Sequence, residues 1–238
     1  MPAPVSAPPG TVGQMTPEQP ANPWLSWQYV QDNSDEILRY LGEHVTLTLQ
    51  AIIIALVVAV PLAALAHAWP RLAGPLVATT GVLYTIPSLA LFAVVYPFIR
   101  DRRTTVLLGL VLYALLLLVR NTLVGLRGVD PAVTDAARGL GYGRWRMLFT
   151  VELPNALPAV VTGLRLASVS TVALVTVGVV IGYGGLGQLM FRGFTSGYHA
   201  QIMTATLLCL ALGLTIDLVL YLVGRLVTPW SRAAVSAR

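Results

Sequence analysis

The sequence predicts an all-α integral membrane protein with about five transmembrane helices and a two-helix loop on the cytoplasmic side. Three observations carry this. The 238 residues are 56% hydrophobic and 11% charged, with mean hydropathy +0.74; a soluble domain carries about 25% charged residues to coat its surface. Five apolar runs each reach the roughly 20 residues that a bilayer crossing requires. Between the third and fourth lies one polar stretch, 130–154, patterned like folded structure rather than linker.

Taken in order, residues 1–23 are rich in Pro, Ala, Gly and Thr and have no periodicity, so a disordered arm is expected. No basic segment precedes an apolar core there, which excludes a cleavable signal peptide. In 24–43, Trp24, Trp27 and Tyr29 suit a membrane–water interface. Ile37, Leu38 and Leu41 make a helical stripe beside Asp32, Asp35 and Glu36, so an interfacial helix is predicted, with a plain linker as the alternative. The membrane domain, 44–230, holds spans at 45–66 (kinked at Pro61), 74–99, 104–126, 159–181 and 202–227, and 231–238 is a short tail. Prolines inside spans are tolerable only where neighbouring helices or water satisfy the carbonyls they free.

Five crossings put the termini on opposite sides. Arg120, Arg127, Arg138, Arg144, Arg146 and Arg165 lie in or beside the 130–154 loop, and Arg225, Arg232 and Arg238 near the C-terminus. The N-terminal arm holds Glu18, Asp32, Asp35, Glu36 and Glu43 against Arg39 alone. The excess of positive charge places the loop and C-terminus in the cytoplasm and the N-terminus outside. Arg100, Arg102 and Arg103, in the second connection, run against that rule.

The loop reads as two short helices around a glycine elbow. Asp130-Pro131 is a helix start, an acceptor at the cap followed by a residue whose missing N–H costs nothing in the first turn. The helix can continue to Arg138, and Gly139, Gly141 and Gly143 offer places to turn. A second helix over 144–151 sets Trp145, Leu148 and Phe149 roughly on one face, before Pro154 and Pro158 interrupt the pattern.

Asp135-Ala136-Ala137, three residues, Gly141, nine residues, Val151, one residue and Leu153-Pro154 resemble the EAA loop of ABC importer permeases. Asp135 stands where that loop usually has Glu, and Val151 where it has Ile. The segments 84–91 (YTIPSLAL), Val119-Arg120-Asn121-Thr122, Gly128-Val129-Asp130-Pro131, 181–187 (IGYGGLG) and Phe191-Arg192-Gly193 are similar to the osmoprotectant permeases, which carry glycine betaine, carnitine, choline or proline. The resemblance covers 45–230. It implies the type I importer, MetI-like permease fold, a second permease (identical or not), a pair of cytoplasmic ABC ATPases and an extracellular substrate-binding protein. It also implies that Asp135, Ala136 and Ala137 form the ATPase-docking helix, that Gly141 sets its turn and that Pro154 feeds it into the fourth span.

The composition excludes several other classes. All 15 basic residues are arginine. A Walker A loop needs a lysine on the phosphates, so the chain is no P-loop ATPase and ATP is expected on a partner, with no cofactor here. The arginines are not gathered with aromatics, which argues against nucleic acid. Cys209 is alone, and His44, His67 and His199 lack ligand spacing, so neither a disulfide nor a metal site is expected. Gly182, Gly184 and Gly187 fit GxGxxG, but they follow a membrane span rather than a strand. No catalytic constellation appears, so a transporter subunit rather than an enzyme is expected in the cell membrane.

Asp217 lies within the fifth span, and Arg120 and Arg165 lie toward the same side on the third and fourth. Charges there need partners, so an Asp217–arginine pair that fixes packing, a pathway or gating charge, and snorkelling to the interface all remain open. Two further alternatives stay open. A permease for another small solute such as methionine shares the loop and layout. An ATP-independent secondary transporter would show internal inverted repeats, which the sequence lacks.

Overall fold

The computed structural model describes residues 22–230; what the sequence predicts for 1–21 and for the 231–238 tail lies outside the described residues. Among these, four helices are long and apolar enough to span a membrane, or five where a pair bent by 94° is counted as one span. Asn22, at the edge of the arm expected to be disordered, is docked: its amide donates to the Gly197 carbonyl (2.7 Å), and its Oδ1 accepts from the His199 N–H (2.9 Å).

The chain begins with α1 (Trp27–Asp32), capped by the Ser26 hydroxyl accepting from the Tyr29 N–H at 3.1 Å. Next comes α2 (Ser34–Ala68), a single helix of 35 residues that passes through Pro61. The stripe of Ile37, Leu38 and Leu41 is therefore not a separate helix but the first turns of the first span. At 1.5 Å per residue α2 is about 52 Å long, well beyond the roughly 30 Å hydrocarbon layer.

The second predicted span, 74–99, is two helices. Helices α3 (Pro70–Thr85) and α4 (Ser88–Ile99) meet at a 94° bend. The cause is Ile86-Pro87: a residue before proline is driven out of the α region, and Ile86 sits at φ −66°, ψ 125°. The Ile86 carbonyl accepts instead from the Tyr113 hydroxyl on the next span. That span is α5 (Arg102–Arg127), whose N-terminus is capped by the Asp101 carboxylate accepting from the Thr104 N–H at 2.7 Å. The Thr104 side chain and N–H together hold the Asp101 carboxyl below its ordinary pKa.

After α6 (Pro131–Gly139) and α7 (Arg144–Met147), the chain does not break before the fourth span. A five-residue π-turn, Leu148–Glu152, joins α7 to α8 (Leu153–Val177), so one helical run extends from Arg144 to Ile181. In the π-turn the Leu153 N–H reaches back to the Leu148 carbonyl. This wider step absorbs the disruption that Pro154, lacking an N–H, would otherwise cause. The predicted independent helix over 144–151 is thus the root of the fourth span.

A 3₁₀ turn and a glycine-rich turn follow, then α9 (Leu186–Ser196), which the hydropathy pattern does not mark off, and α10 (His199–Val227). Gly182 and Gly184 lie in the turn between helices and Gly187 in the first turn of α9, and no strand occurs among the described residues.

Helix α5 is the central member, with α2 and α8 against it and Leu47, Ala51, Phe92, Leu110, Leu118 and Val175 in the shared core. The α5–α8 approach depends on small residues. A Cβ at Gly125 would lie 2.8 Å from the Ala159 Cβ, and one at Gly163 would lie 2.6 Å from the Asn121 Cβ. Helix α10 packs on α8 and α9 from outside and is the least buried span. At the end of the bundle away from the 130–154 loop, fully buried His44 bridges three elements. Its Nδ1 accepts from the Leu186 N–H (3.3 Å), which leaves Nε2–H to donate to the Val172 carbonyl (3.0 Å).

The bend yields a test. Tyr113→Phe orphans the Ile86 carbonyl and is expected to lower stability by about 1–3 kcal/mol, read as the thermal unfolding midpoint of the detergent-solubilised protein. An unchanged midpoint would show that the hydroxyl does not hold the break.

Candidate functional site

The 130–154 loop folds into a knob at one end of the bundle. Asp130 Oδ1 accepts from the Ala132 N–H (2.8 Å), with Pro131 in the first turn of α6. The helix closes with two bonds, the Tyr142 N–H to the Ala137 carbonyl (3.1 Å) and the Gly141 N–H to the Arg138 carbonyl (2.9 Å). This is a Schellman closure, and it requires a left-handed residue where Gly141 sits at φ +78°. Of the three candidate glycines only Gly141 does this; Gly139 ends α6 and Gly143 precedes α7. Nothing lies within 4 Å of where a Gly141 Cβ would be, so the requirement is conformational, not steric.

The two alanines serve different faces. Ala137 is buried on the side of α6 that packs on the π-turn and α7, while Ala136 points outward beside exposed Asp135, whose carboxylate pairs with Arg138 at 2.9 Å. Trp145 and Phe149 are also outward and stacked, with ring centroids 6.3 Å apart. Leu148 departs from the expected common face: it is buried in a cluster with Ala64, Leu126 and Ala156. Successive helical residues differ by about 100°, so the boundary between the knob's inner and outer faces falls between Leu148 and Phe149. Val133 and Leu140 complete an exposed apolar surface.

Two contacts that the sequence did not suggest tie the knob to the end of α2. Glu152, at the end of the π-turn, meets His67 with Oε2 and Nε2 3.3 Å apart. The Arg144 guanidinium lies over the Trp69 ring, 5.3 Å from its centroid. Between them is a cleft of about 340 Å³ lined by His67, Arg138, Tyr142, Trp145 and Glu152. Val151, Leu153 and Pro154 sit half-buried in the π-turn and the first turn of α8. The available signal was an acid and a histidine each ending an apolar segment, which becomes informative only once the two segments are known to be adjacent.

A second feature lies inside the membrane region. A groove of about 770 Å³ runs between α8 and α10, reaching Met190 on α9. At its end nearest the knob, Arg165 and Asp217 form a bidentate pair, Nε to Oδ1 at 2.8 Å and Nη2 to Oδ2 at 2.7 Å. The Tyr221 ring lies under the same guanidinium, 5.1 Å from it. Arg120 is exposed and outside this pair. Tyr84 and Tyr113 meet edge to face at the α3–α4 bend, and Tyr183 packs against the central core; none of them lines the groove.

The model of the family described as binding-protein-dependent transport system inner membrane component matches residues 51–233. The chain belongs to that family. The permease is 36% identical over 165 residues to the carnitine transport permease of Listeria monocytogenes, covering 69% of this chain and 76% of that protein. It is 30% identical over 201 residues to the glycine betaine/carnitine/choline transport system permease of Bacillus subtilis strain 168 (84% and 93%). To the osmoprotectant import permease of Salmonella typhimurium it is 33% identical over 208 residues (84% and 96%). Its fold is that of the solved MetNI methionine ABC transporter in an inward-facing conformation, with TM-score 0.71 at 22% identity over 80% of this permease and 95% of that chain. It is a multi-pass membrane transport subunit.

Because Gly141 is needed for its backbone angle, Gly141→Val is expected to abolish transport with membrane insertion intact. Gly141→Asn, which tolerates the left-handed region, should retain most of it; an ordinary residue there costs about 1–2 kcal/mol. Solute uptake and membrane-fraction immunoblots of the two variants check this, and equal loss in both would point to a steric role instead.

Proposed function

We propose that the permease is the membrane-spanning subunit of an ATP-driven ABC importer. It passes a small osmoprotectant of the glycine betaine, choline, carnitine or proline type from an external binding protein into the cytoplasm. The observation that carries the importer reading is the knob, with its outward apolar surface of Val133, Ala136, Leu140, Trp145 and Phe149. A rigid apolar projection on an otherwise membrane-embedded chain is built to be gripped by another protein.

In this reading two permeases, identical or not, enclose a path with inward- and outward-facing states of similar energy. One ATPase of a pair docks on the outward face of each knob, where Asp135 and Ala136 lie beside Val133, Leu140, Trp145 and Phe149. ATP binding draws the ATPases together, displaces the knobs and shifts the population between the two states. Without a lysine the permease offers no Walker A loop, so ATP belongs to the partner. The knob and C-terminus are cytoplasmic and the N-terminus is outside, which the arginine distribution supports. The osmoprotectant assignment draws on the relatives named for carnitine, glycine betaine and choline. The likeness to the methionine transporter, at 22% identity, bears on fold alone.

The test is uptake of labelled glycine betaine, choline, carnitine and proline into vesicles carrying the permease with its ATPase and binding protein. Uptake is expected only with ATP and binding protein together. Uptake by the permease alone would overturn the importer reading. Strict ATP dependence with none of these solutes carried would overturn the osmoprotectant assignment.

A further inference from the structure

The groove between α8 and α10 has the dimensions of a pathway. Its lining runs along α8 from Thr162 to Thr176, a distance of about 21 Å at 1.5 Å per residue, against a hydrocarbon layer of roughly 30 Å. Leu166, Val169, Leu210 and Leu214 line it and are exposed into it. The charged groups of that lining are Arg165 and Asp217. Their side chains keep 34% and 32% of their surface accessible, so the pair faces the groove rather than being sealed in the bundle.

The chemistry of this pair selects by charge distribution. A bidentate arginine–carboxylate pair has no net charge. A cation entering the groove is attracted by Asp217 and repelled by Arg165 beside it, and an anion meets the reverse. A molecule whose positive and negative ends lie alongside the pair in the opposite sense is attracted at both. Apolar walls keep the effective dielectric low and sharpen the distinction. The docking need not break the pair. Guanidinium has five N–H donors, and two are directed at Asp217. The others can take a carboxylate, while the carboxylate oxygens of Asp217 retain lone pairs toward a neighbouring ammonium group.

We propose that this groove binds a small zwitterionic solute, with Arg165 meeting its carboxylate and Asp217 its ammonium group. The inference rests on the importer reading above and adds the residues that recognise the cargo and its charge class. It assigns the permease itself a share in selectivity: zwitterions are admitted ahead of net cations bearing the same head group.

Cys209 lines the groove and is the single cysteine of the chain, which makes it a reporter. The purified permease–ATPase complex in detergent is treated with a methanethiosulfonate reagent, and modification of the permease is followed by mass. Glycine betaine, choline and sucrose are compared as additives. Glycine betaine is expected to slow modification about threefold when present at about twice its dissociation constant, with choline at the same concentration slowing it less and sucrose having no effect. In Arg165→Gln, whose groove carries net negative charge, protection should pass from glycine betaine to choline. If that variant does not assemble, the contrast between the two solutes on the unmodified complex decides alone.

Equal modification with and without glycine betaine would overturn the proposal. So would protection of Arg165→Gln by glycine betaine at the wild-type level, which would mark the pair as a packing clamp only. A Cys209 that the reagent never reaches would also overturn it, because the groove would be closed. Uptake measured on the same preparation separates the two readings. Transport without protection removes the groove site and leaves the importer, whereas absence of ATP-dependent uptake of any solute removes the importer reading.

Discussion

In hydrocarbon a backbone N–H or C=O without a partner costs several kcal/mol, yet this chain interrupts its helical order at three places inside the bundle. Each interruption has its own remedy. At the α3–α4 bend the Tyr113 hydroxyl takes up the Ile86 carbonyl. At the far end of α8 the imidazole of His44 serves the Val172 carbonyl and the Leu186 N–H together. At the root of α8 the π-turn re-pairs the Leu153 N–H with Leu148 across Pro154. Two polar side chains within the bundle, Tyr113 and His44, thus serve the breaks directly. They also fix the breaks in position, since removing either partner orphans the other.

Much of this was legible in the sequence, for identifiable reasons. Long apolar runs are a signal integrated over some twenty residues, so the spans at 104–126 and 202–227 fall within α5 and α10. The start of α6 at Asp130-Pro131 is a local matter of cap chemistry and reads directly from the two residues. What escaped was decided by partners distant in sequence. Proline signals a disruption but not its size: Pro87 produces a 94° bend, whereas Pro61 and Pro154 remain inside helices. The difference lies in what surrounds each, a hydroxyl from α5 at one site and a π-turn at another. Helix α9 was missed because its glycines and polar residues resemble a loop, and its first residue is held by a histidine 142 positions earlier.

The site divides the same way. Asp135, Ala136, Ala137 and Gly141 stood out as a spaced pattern, but the pattern treats both alanines alike, and the fold turns one in and one out. Asp217 stood out as an acid among apolar residues, and two arginines were equally placed on sequence grounds to meet it. Helix rotation decides between them: Arg165 on α8 faces α10, whereas Arg120 on α5 is directed elsewhere. The His67–Glu152 contact could not be read at all, because neither residue carries a spacing that points to the other.

Helix α8 links the knob to the groove, and its construction limits how the two can communicate. One helical run of 38 residues carries the knob root at Arg144, the groove-facing Arg165 and the turn beyond Ile181. A continuous helix transmits displacement along its length as a nearly rigid body, and a π-turn is the place where its hydrogen bonding differs. Here that turn ends on Glu152, which His67 holds against the end of α2. Arg144 on Trp69 makes a second attachment on the other side of the turn. The soft point of α8 is thus bracketed by two contacts to a single neighbour. A displaced knob therefore moves the ends of α2 and α8 together rather than bending α8 alone. His44 joins the same two helices again farther from the knob, through the Val172 carbonyl, so α2 and α8 are fastened at two levels of the bundle. Helix α10 shares its buried surface with α8 and α9 and has few contacts with α2. The main direct link between the fastened α2–α8 unit and α10 is the α8–α10 face, where Arg165 meets Asp217.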